Sequence, residues 1–259
     1  IEDIHKDYIL AGAEIITTNN YAVTQNLLRR ENLRNKLEDL TLLSIDLAKE
    51  AREITNSNTK IAASLPPLDT SYRPDLVGDS DSLMRKYSEI VEIVKDKVDL
   101  VMIETMSSSA EAIGALKACQ DTGMEVWLGY TLHGVRKNTL PSGESLTDAL
   151  TAVKEYNIDA FLINCCSANI TAEAMKVFAD TVDKPFGGYA NSEIIDHIER
   201  GDDSLDNAED LQRESRQSIN ADQYSMIVKE WIESGATIVG GCCRTGPKHI
   251  ETLYQMINN

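Results

Sequence analysis

The feature that most constrains this chain is an alternation of short β-branched or apolar runs with longer segments whose apolar residues recur every three or four positions. The runs are Glu14–Thr18, Lys60–Ser64, Val98–Glu104, Glu125–Thr131, Ala160–Cys165, Pro185–Tyr189 and Thr237–Gly241. Segments such as Leu83 to Val94, Ala110 to Ala118 and Asp222–Ser234 carry the helical period between them. Helix-ending signals precede several runs: Ala11-Gly12-Ala13, Thr122-Gly123 and Ser234-Gly235-Ala236. This is the pattern of parallel β/α construction. The nearly unbroken apolar stretch Val98-Asp99-Leu100-Val101-Met102-Ile103 suits a sheet covered on both faces.

An open doubly wound sheet and a closed barrel both satisfy that pattern, and the polar residues choose between them. Most runs finish in reactive or hydrogen-bonding groups: Thr17-Thr18-Asn19-Asn20, Glu104-Thr105, Tyr130-Thr131, Asn164-Cys165, Asn191 and Cys242-Cys243. A barrel gathers its strand ends at one C-terminal face, where such groups converge, whereas an open sheet spreads them along a crevice. The expected fold is therefore α/β, a (β/α)8 TIM barrel, with residues 1–259 forming a single domain. Seven runs are visible, and Ile1 to Leu10 reads as a helix leading into the first of them. The first β-strand and its loop are expected upstream of Ile1, so the domain is read as N-terminally incomplete.

Charge removes other classes. With 25 Lys+Arg against 42 Asp+Glu the net charge is −17, the wrong sign for a phosphate-backbone partner. No apolar run reaches the roughly 18 residues of a membrane helix, and no signal-peptide pattern begins the chain, so a soluble, cytoplasmic protein is expected. The acidic segment Glu199 to Gln217 reads as a solvated loop and helix face, with a lid formed by Asp202–Glu214 as the sharper alternative.

Four of the five cysteines form two adjacent pairs, Cys165-Cys166 and Cys242-Cys243, a spacing that suits a thiolate site better than a disulfide framework. Catalytic zinc keeps three protein ligands and one open position and favours thiolates. Cys242 and Cys243 follow one strand and Cys165 ends another, so all three reach the same barrel mouth. Adjacent strand residues point to opposite sides; Cys242 and Cys243 can share a metal only if the chain turns there, which Gly240-Gly241 and Gly246-Pro247 permit. On spacing alone, two buried small side chains or a vicinal redox couple remain open, and strand parity does not decide between Cys165 and Cys166.

Gly240-Gly241-Cys242-Cys243-Arg244-Thr245, with Gly235-Ala236 before it and Pro247 after it, resembles the last strand of the homocysteine S-methyltransferase family. Ile163-Asn164-Cys165, Ala11-Gly12-Ala13-Glu14-Ile15-Ile16-Thr17-Thr18-Asn19, Ile103-Glu104-Thr105 and Ser142-Gly143-Glu144-Ser145-Leu146 extend the resemblance over nearly the whole chain. It implies an eightfold barrel, a zinc cofactor (Zn2+) held by Cys165, Cys242 and Cys243, and methyl transfer to the thiol of homocysteine in methionine biosynthesis. Cys166 is set aside because the family's cysteine directly follows the asparagine, and it is expected, like Cys119, to be a buried small side chain. The resemblance also implies an upstream strand and a glycine-rich loop, after an Asp-Gly pair, that helps hold the amino-acid substrate. Glu104 is implied to bind the homocysteine ammonium. Asn19, Tyr130, Thr131, Tyr189 and Asn191 are further candidates for substrate and donor, with ordinary strand-end hydrogen bonding as the competing role, and Asn164 is expected to orient the metal loop.

Three thiolates on Zn2+ leave a charge of −1, and a substrate thiolate makes it −2, which favours a cationic methyl donor whose charge vanishes on transfer. A sulfonium, S-methylmethionine or S-adenosylmethionine, meets that requirement. A zinc-activated thiol needs no general base, in keeping with four histidines, His5, His133, His197 and His249, that show no nucleophile-and-base pattern. The loop Ser64-Leu65-Pro66-Pro67-Leu68-Asp69 has Pro66-Pro67 where the family tends to have a glycine-containing turn, so the resemblance implies the acceptor more firmly than the donor. Alternatives are betaine or another donor on the same barrel, and a metal-binding or thiol-redox barrel without methyl transfer. A sugar-phosphate barrel enzyme, with Gly240-Gly241 and the helix near Pro247 as its phosphate site, is the third.

Overall fold

The computed structural model describes residues 1–134, 136–195 and 216–258. Seven parallel strands form one sheet in chain order: β1 (Ile15–Thr17), β2 (Lys60–Leu65), β3 (Leu100–Met106), β4 (Glu125–Tyr130), β5 (Ala160–Ser167), β6 (Phe186–Asn191) and β9 (Ile238–Gly241). Each expected run contributes one strand, with ends shifted by a few residues. β6 starts after Pro185, which has no N–H for the ladder but whose carbonyl accepts Phe161 N–H at 3.0 Å.

Helices link the strands: α1 (Glu2–Leu10), α2 (Gln25–Arg30), α3 (Leu37–Ile54), α4 (Ser80–Val94), α5 (Ser109–Cys119), α6 (Leu146–Ala152), α7 (Ala168–Thr181), α8 (Ala221–Glu233) and α9 (Pro247–Asn258). α4 shows why these segments are helical. The Asp79 side chain caps it by accepting Ser82 N–H at 2.9 Å, and Leu83, Tyr87, Ile90, Val91 and Val94 form the buried stripe. α8 begins with a reciprocal capping box between Asn220 and Gln223.

Strand alternation divides the core into two layers. Residues turned outward pack against the helices, while Ala62, Leu100, Met102, Trp127, Ala160 and Leu162, with Ile15, Tyr189 and Ile238 against them, fill the concave side. The sheet is curled: α1 packs on α9, and the Tyr8 hydroxyl donates to the Thr245 carbonyl at 2.7 Å, so the two ends of the sheet approach one another. The architecture is a (β/α) barrel with seven parallel strands among the described residues.

An antiparallel pair not anticipated from the sequence, β7 (Glu193–Ile195) with β8 (Arg216–Ser218), flanks the barrel after β6. Arg216 and Gln217 were expected in a loop; ladder pairing to Ile194 and Ile195 makes them strand. The expected lid Asp202–Glu214 lies outside the described residues. Among the described residues no helix is long and apolar enough to cross a membrane.

Candidate metal centre

The site begins where β5 stops alternating. Asn164 keeps its inward position, and its carboxamide ties β5 to β3: the oxygen accepts Thr105 N–H at 2.8 Å and the nitrogen donates to the Thr105 hydroxyl at 2.8 Å. Thr105 and Cys165 both have left-handed backbones, φ 62° and 57°, and the register shifts on both strands at these points. Such a bulge re-aims the residue that carries it. Cys165 therefore joins the cluster at the mouth, while the buried Cys166 turns to α7, its sulfur 3.3 Å from the Thr171 hydroxyl. Parity left these neighbours undecided; the bulge decides. Cys119 is buried on α5, as expected.

β9 supplies the other two sulfurs. Cys242 N–H bonds the Ala190 carbonyl at 2.8 Å, and Cys243 N–H bonds Asn191 Oδ1 at 3.2 Å. The Thr245 hydroxyl then returns to the Cys242 carbonyl at 2.7 Å, closing a turn in which Arg244 has φ 63°. A side chain at Gly241 would place its Cβ 2.5 Å from Thr245 Oγ1, so the turn requires glycine there. This is how adjacent cysteines come to face one point.

The three sulfurs lie within 4.8 Å of one another, with Cys165 Sγ to Cys243 Sγ at 3.8 Å. Zinc–sulfur bonds of about 2.3 Å arranged tetrahedrally give a sulfur–sulfur edge of about 3.8 Å, so the donor set fits a zinc ion with one vertex left for substrate. Charge agrees. Contacts with Cys165 and then Cys242 depress the Cys243 thiol to about 3, whereas contacts with Cys165 and Cys243 push the Cys242 thiol well up. One thiolate forms readily beside its neighbours; three require a cation among them.

Glu104 closes the floor of the site. It is buried, its Oε1 accepts from the Ser64 hydroxyl and its Oε2 from the Tyr189 hydroxyl at 3.1 Å. Burial raises its pKa, the two hydroxyls oppose that, and nearby Cys243 adds to it. No positive side chain bonds this carboxylate among the described residues, which leaves it able to receive a substrate ammonium.

The remaining candidates divide. Asn19 is exposed beyond β1, and Thr131, beyond β4, is fully buried, its hydroxyl without a partner among the described residues. Tyr189 reaches the site through Glu104. Two expectations need correction. Tyr130 is paired with outward-facing Ile163, is fully buried, and donates to the Ala149 carbonyl of α6 at 3.2 Å; strand parity takes it away from the mouth. Asn191 uses its oxygen on Cys243 N–H and its nitrogen on Glu193 Oε1 at 3.4 Å, so it holds the turn that carries Cys242 and Cys243.

Three contributors were not singled out from the sequence. Ser64 bonds Glu104, and buried Glu193 pairs with Arg244 at 3.2 Å beside Cys243. Tyr72, in the loop between β2 and α4, reaches Cys165 with its hydroxyl. Lone hydroxyls in loops and at strand ends carry no periodic signal. One assembly looks catalytic and is not: Ser192 Oγ lies 2.9 Å from His249 Nε2, but His249 Nδ1 accepts Gly246 N–H and the serine donates to the Ile219 carbonyl. The imidazole thus donates to the serine, the reverse of a base activating a nucleophile.

Comparison with known proteins adds independent findings. A family model described as homocysteine S-methyltransferase matches residues 1–257. Homocysteine S-methyltransferase 1 of Arabidopsis thaliana is 27% identical, the match covering 98% of this chain and 81% of that protein. Homocysteine S-methyltransferase 2 of Zea mays is 26% identical over 100% of this chain and 80% of its own length. The crystal structure of the metallated form of the homocysteine methyltransferase MmuM from Escherichia coli has a TM-score of 0.80 at 24% identity, covering 98% of this chain and 83% of that one. At that identity the likeness establishes the fold.

Proposed function

The chain belongs to the homocysteine S-methyltransferase family, and on that premise we propose that it transfers a methyl group from a sulfonium, S-methylmethionine or S-adenosylmethionine, to the thiol of homocysteine, with zinc on Cys165, Cys242 and Cys243. The observation that carries this reading is the convergence of those three sulfurs within 4.8 Å, brought together from β5 and the turn after β9. A zinc ion bound there would supply the open position at which a homocysteine thiol is held as thiolate near neutral pH.

The protein's own groups do the rest. Glu104 receives the homocysteine ammonium, and that charge offsets the cost of burying the carboxylate. Ser64 and Tyr189 hold its two oxygens in place. Thr131 offers a hydroxyl without a partner among the described residues, and Asn19 an exposed carboxamide, for the polar ends of acceptor or donor. Asn191, through Cys243 N–H, and Asn164, through Thr105, fix the backbones that carry the sulfurs and the carboxylate. Once acceptor and donor are aligned, the homocysteine sulfur attacks the methyl carbon. The bond to the donor sulfur breaks with its electron pair leaving on that sulfur, and methionine and a neutral thioether are released.

A redox couple confined to Cys242-Cys243 is the weaker reading, because Cys165 sits in the same cluster and such a couple has no use for it. Incubating the purified protein with homocysteine and, separately, S-methylmethionine, S-adenosylmethionine and betaine, and following methionine, tests the proposal. Methionine from a sulfonium and not from betaine is expected; none from either sulfonium would overturn the donor assignment. Metal content tests the zinc assignment separately, with about one zinc per chain and three cysteines shielded from alkylation expected.

A further inference from the structure

Four sulfurs would share the metal once homocysteine is bound, and only the substrate's is meant to take the methyl group. What sets Cys165 apart is a neighbour. The Tyr72 hydroxyl lies 2.9 Å from Cys165 Sγ and 2.8 Å from the Cys165 carbonyl oxygen. Tyr72 comes from a different element, the loop after β2, 93 residues away in sequence. Both residues have left-handed backbones, Tyr72 at φ 62° and Cys165 at φ 57°, conformations that a non-glycine side chain adopts at a cost and that cluster at functional sites. Two strained backbones thus meet through one hydroxyl. Neither Cys242 nor Cys243 has a phenol at its sulfur among the described contacts.

We propose that Tyr72 is a positioning residue that donates a hydrogen bond to the Cys165 sulfur, drawing electron density from it and directing alkylation away from this ligand toward the substrate sulfur. The physical basis is general: a donor pointed at a thiolate stabilises its charge in the ground state, and that stabilisation is lost as the sulfur lone pair becomes a carbon–sulfur bond. The hydroxyl's one proton is shared with the Cys165 carbonyl oxygen in a three-centre bond that keeps the bulge in register, so one hydroxyl sets both the position and the reactivity of the ligand. The inference rests on the reading of Cys165 as a metal ligand in a methyl-transfer site, but the hydrogen bond to its sulfur belongs to the chain with or without metal.

Tyr72→Phe keeps the ring and removes the donor. Full-length wild type and variant, each metal-free and zinc-loaded, are treated with iodoacetamide, and each cysteine is followed by peptide mass spectrometry. In that reaction a carbon–sulfur bond forms, the carbon–iodine bond breaks and iodide leaves with the electron pair. In the zinc-loaded protein, where the metal holds the sulfur as thiolate, Cys165 is expected to react about tenfold faster in the variant, in line with loss of a hydrogen bond to a charged group, while Cys242 and Cys243 in the same digest keep their rates; in the metal-free protein loss of the donor disfavours the thiolate and Cys165 is expected to react more slowly. Tyr72→Met, which retains apolar bulk without a donor, must behave alike. In cobalt-loaded protein the sulfur-to-metal charge-transfer band should move to lower energy in the variant, a change that simple loosening of the loop does not produce. Equal Cys165 rates in wild type and both variants would overturn the proposal, as would a rise shared equally by all three cysteines. Metal content, measured on the same samples, reports on the zinc reading alone: wild type without metal sinks that reading and leaves the alkylation comparison to decide the role of Tyr72.

Discussion

A carboxylate buried beside a cluster of sulfurs is held, among the described residues, by hydroxyls alone, and that arrangement defines what Glu104 can do. The Ser64 and Tyr189 hydroxyls fix both oxygens but bring no charge, so ionisation is fully supported only when a cation arrives. Glu104→Gln keeps the shape and removes the charge. The KM for homocysteine is expected to rise by about 10- to 100-fold, the range that corresponds to a charge-assisted hydrogen bond, with zinc content unchanged; an unaltered KM would place the ammonium elsewhere. A second buried carboxylate, Glu111, serves stability. Burial pushes its pKa up to about 7, against the bonds it accepts from the Ser107 N–H and hydroxyl. A carboxyl whose folded pKa exceeds its unfolded value binds its proton more tightly in the native state, so its contribution is intact below about 4.5 and is lost as pH rises toward about 7. Glu111→Gln should flatten that part of the stability profile, by about 3 kcal/mol at most, as read from denaturant midpoints between pH 4.5 and 8. A slope that persists in the variant would mean another group titrates.

At the scale of elements, α4 packs directly on α5, and one glycine permits the approach. A Cβ on Gly114 would lie 2.4 Å from Leu83 Cβ, at the start of the buried stripe of α4. Gly114→Ala gains helix propensity of about 1 kcal/mol but forces the helices apart, and overpacking of this kind costs about 1–3 kcal/mol. Net destabilisation of up to about 2 kcal/mol is expected from chemical denaturation; a stabilised variant would show that the pair can separate freely. The helical stripe on α4 was legible in the sequence because apolar spacing repeats, and so was each parallel strand. Bulges were not. Cys165 and Thr105 leave the strand alternation through a single dihedral each, and no residue preference announces a left-handed cysteine or threonine. The same limit misassigned Tyr130: strand position put it near the mouth, but parity turns it to α6. The pair β7 and β8 was missed because three-residue strands are too short to establish a period. The three clustered cysteines were legible through resemblance, whereas Tyr72, Ser64 and Glu193 depend on contacts across the fold that spacing does not encode.

For the whole molecule, the cysteine cluster is also a long-range tie. Cys165 and Cys243 are 78 residues apart in sequence, and the turn that carries Cys242 and Cys243 also receives the Tyr8 hydroxyl on the Thr245 carbonyl, 237 residues away. An ion at the cysteine cluster would therefore join β5 to the loop after β9, the loop that α1 already holds through Tyr8. Binding to the native state alone adds stability that grows with the logarithm of metal concentration over Kd, about 4 kcal/mol at a thousandfold excess. For a domain of this size each kcal/mol is worth roughly 2–4 °C in Tm, so stripping the metal with a chelator should lower Tm by about 10 °C. Cys165→Ala should melt near the chelated wild type and ignore the chelator, since two sulfurs from one turn no longer bridge the sheet. Readdition of zinc should restore the wild type and leave the variant unchanged. Superimposable melts of wild-type protein with zinc and with chelator would show that the cluster closes no part of the barrel, and would confine the ion to chemistry at the mouth.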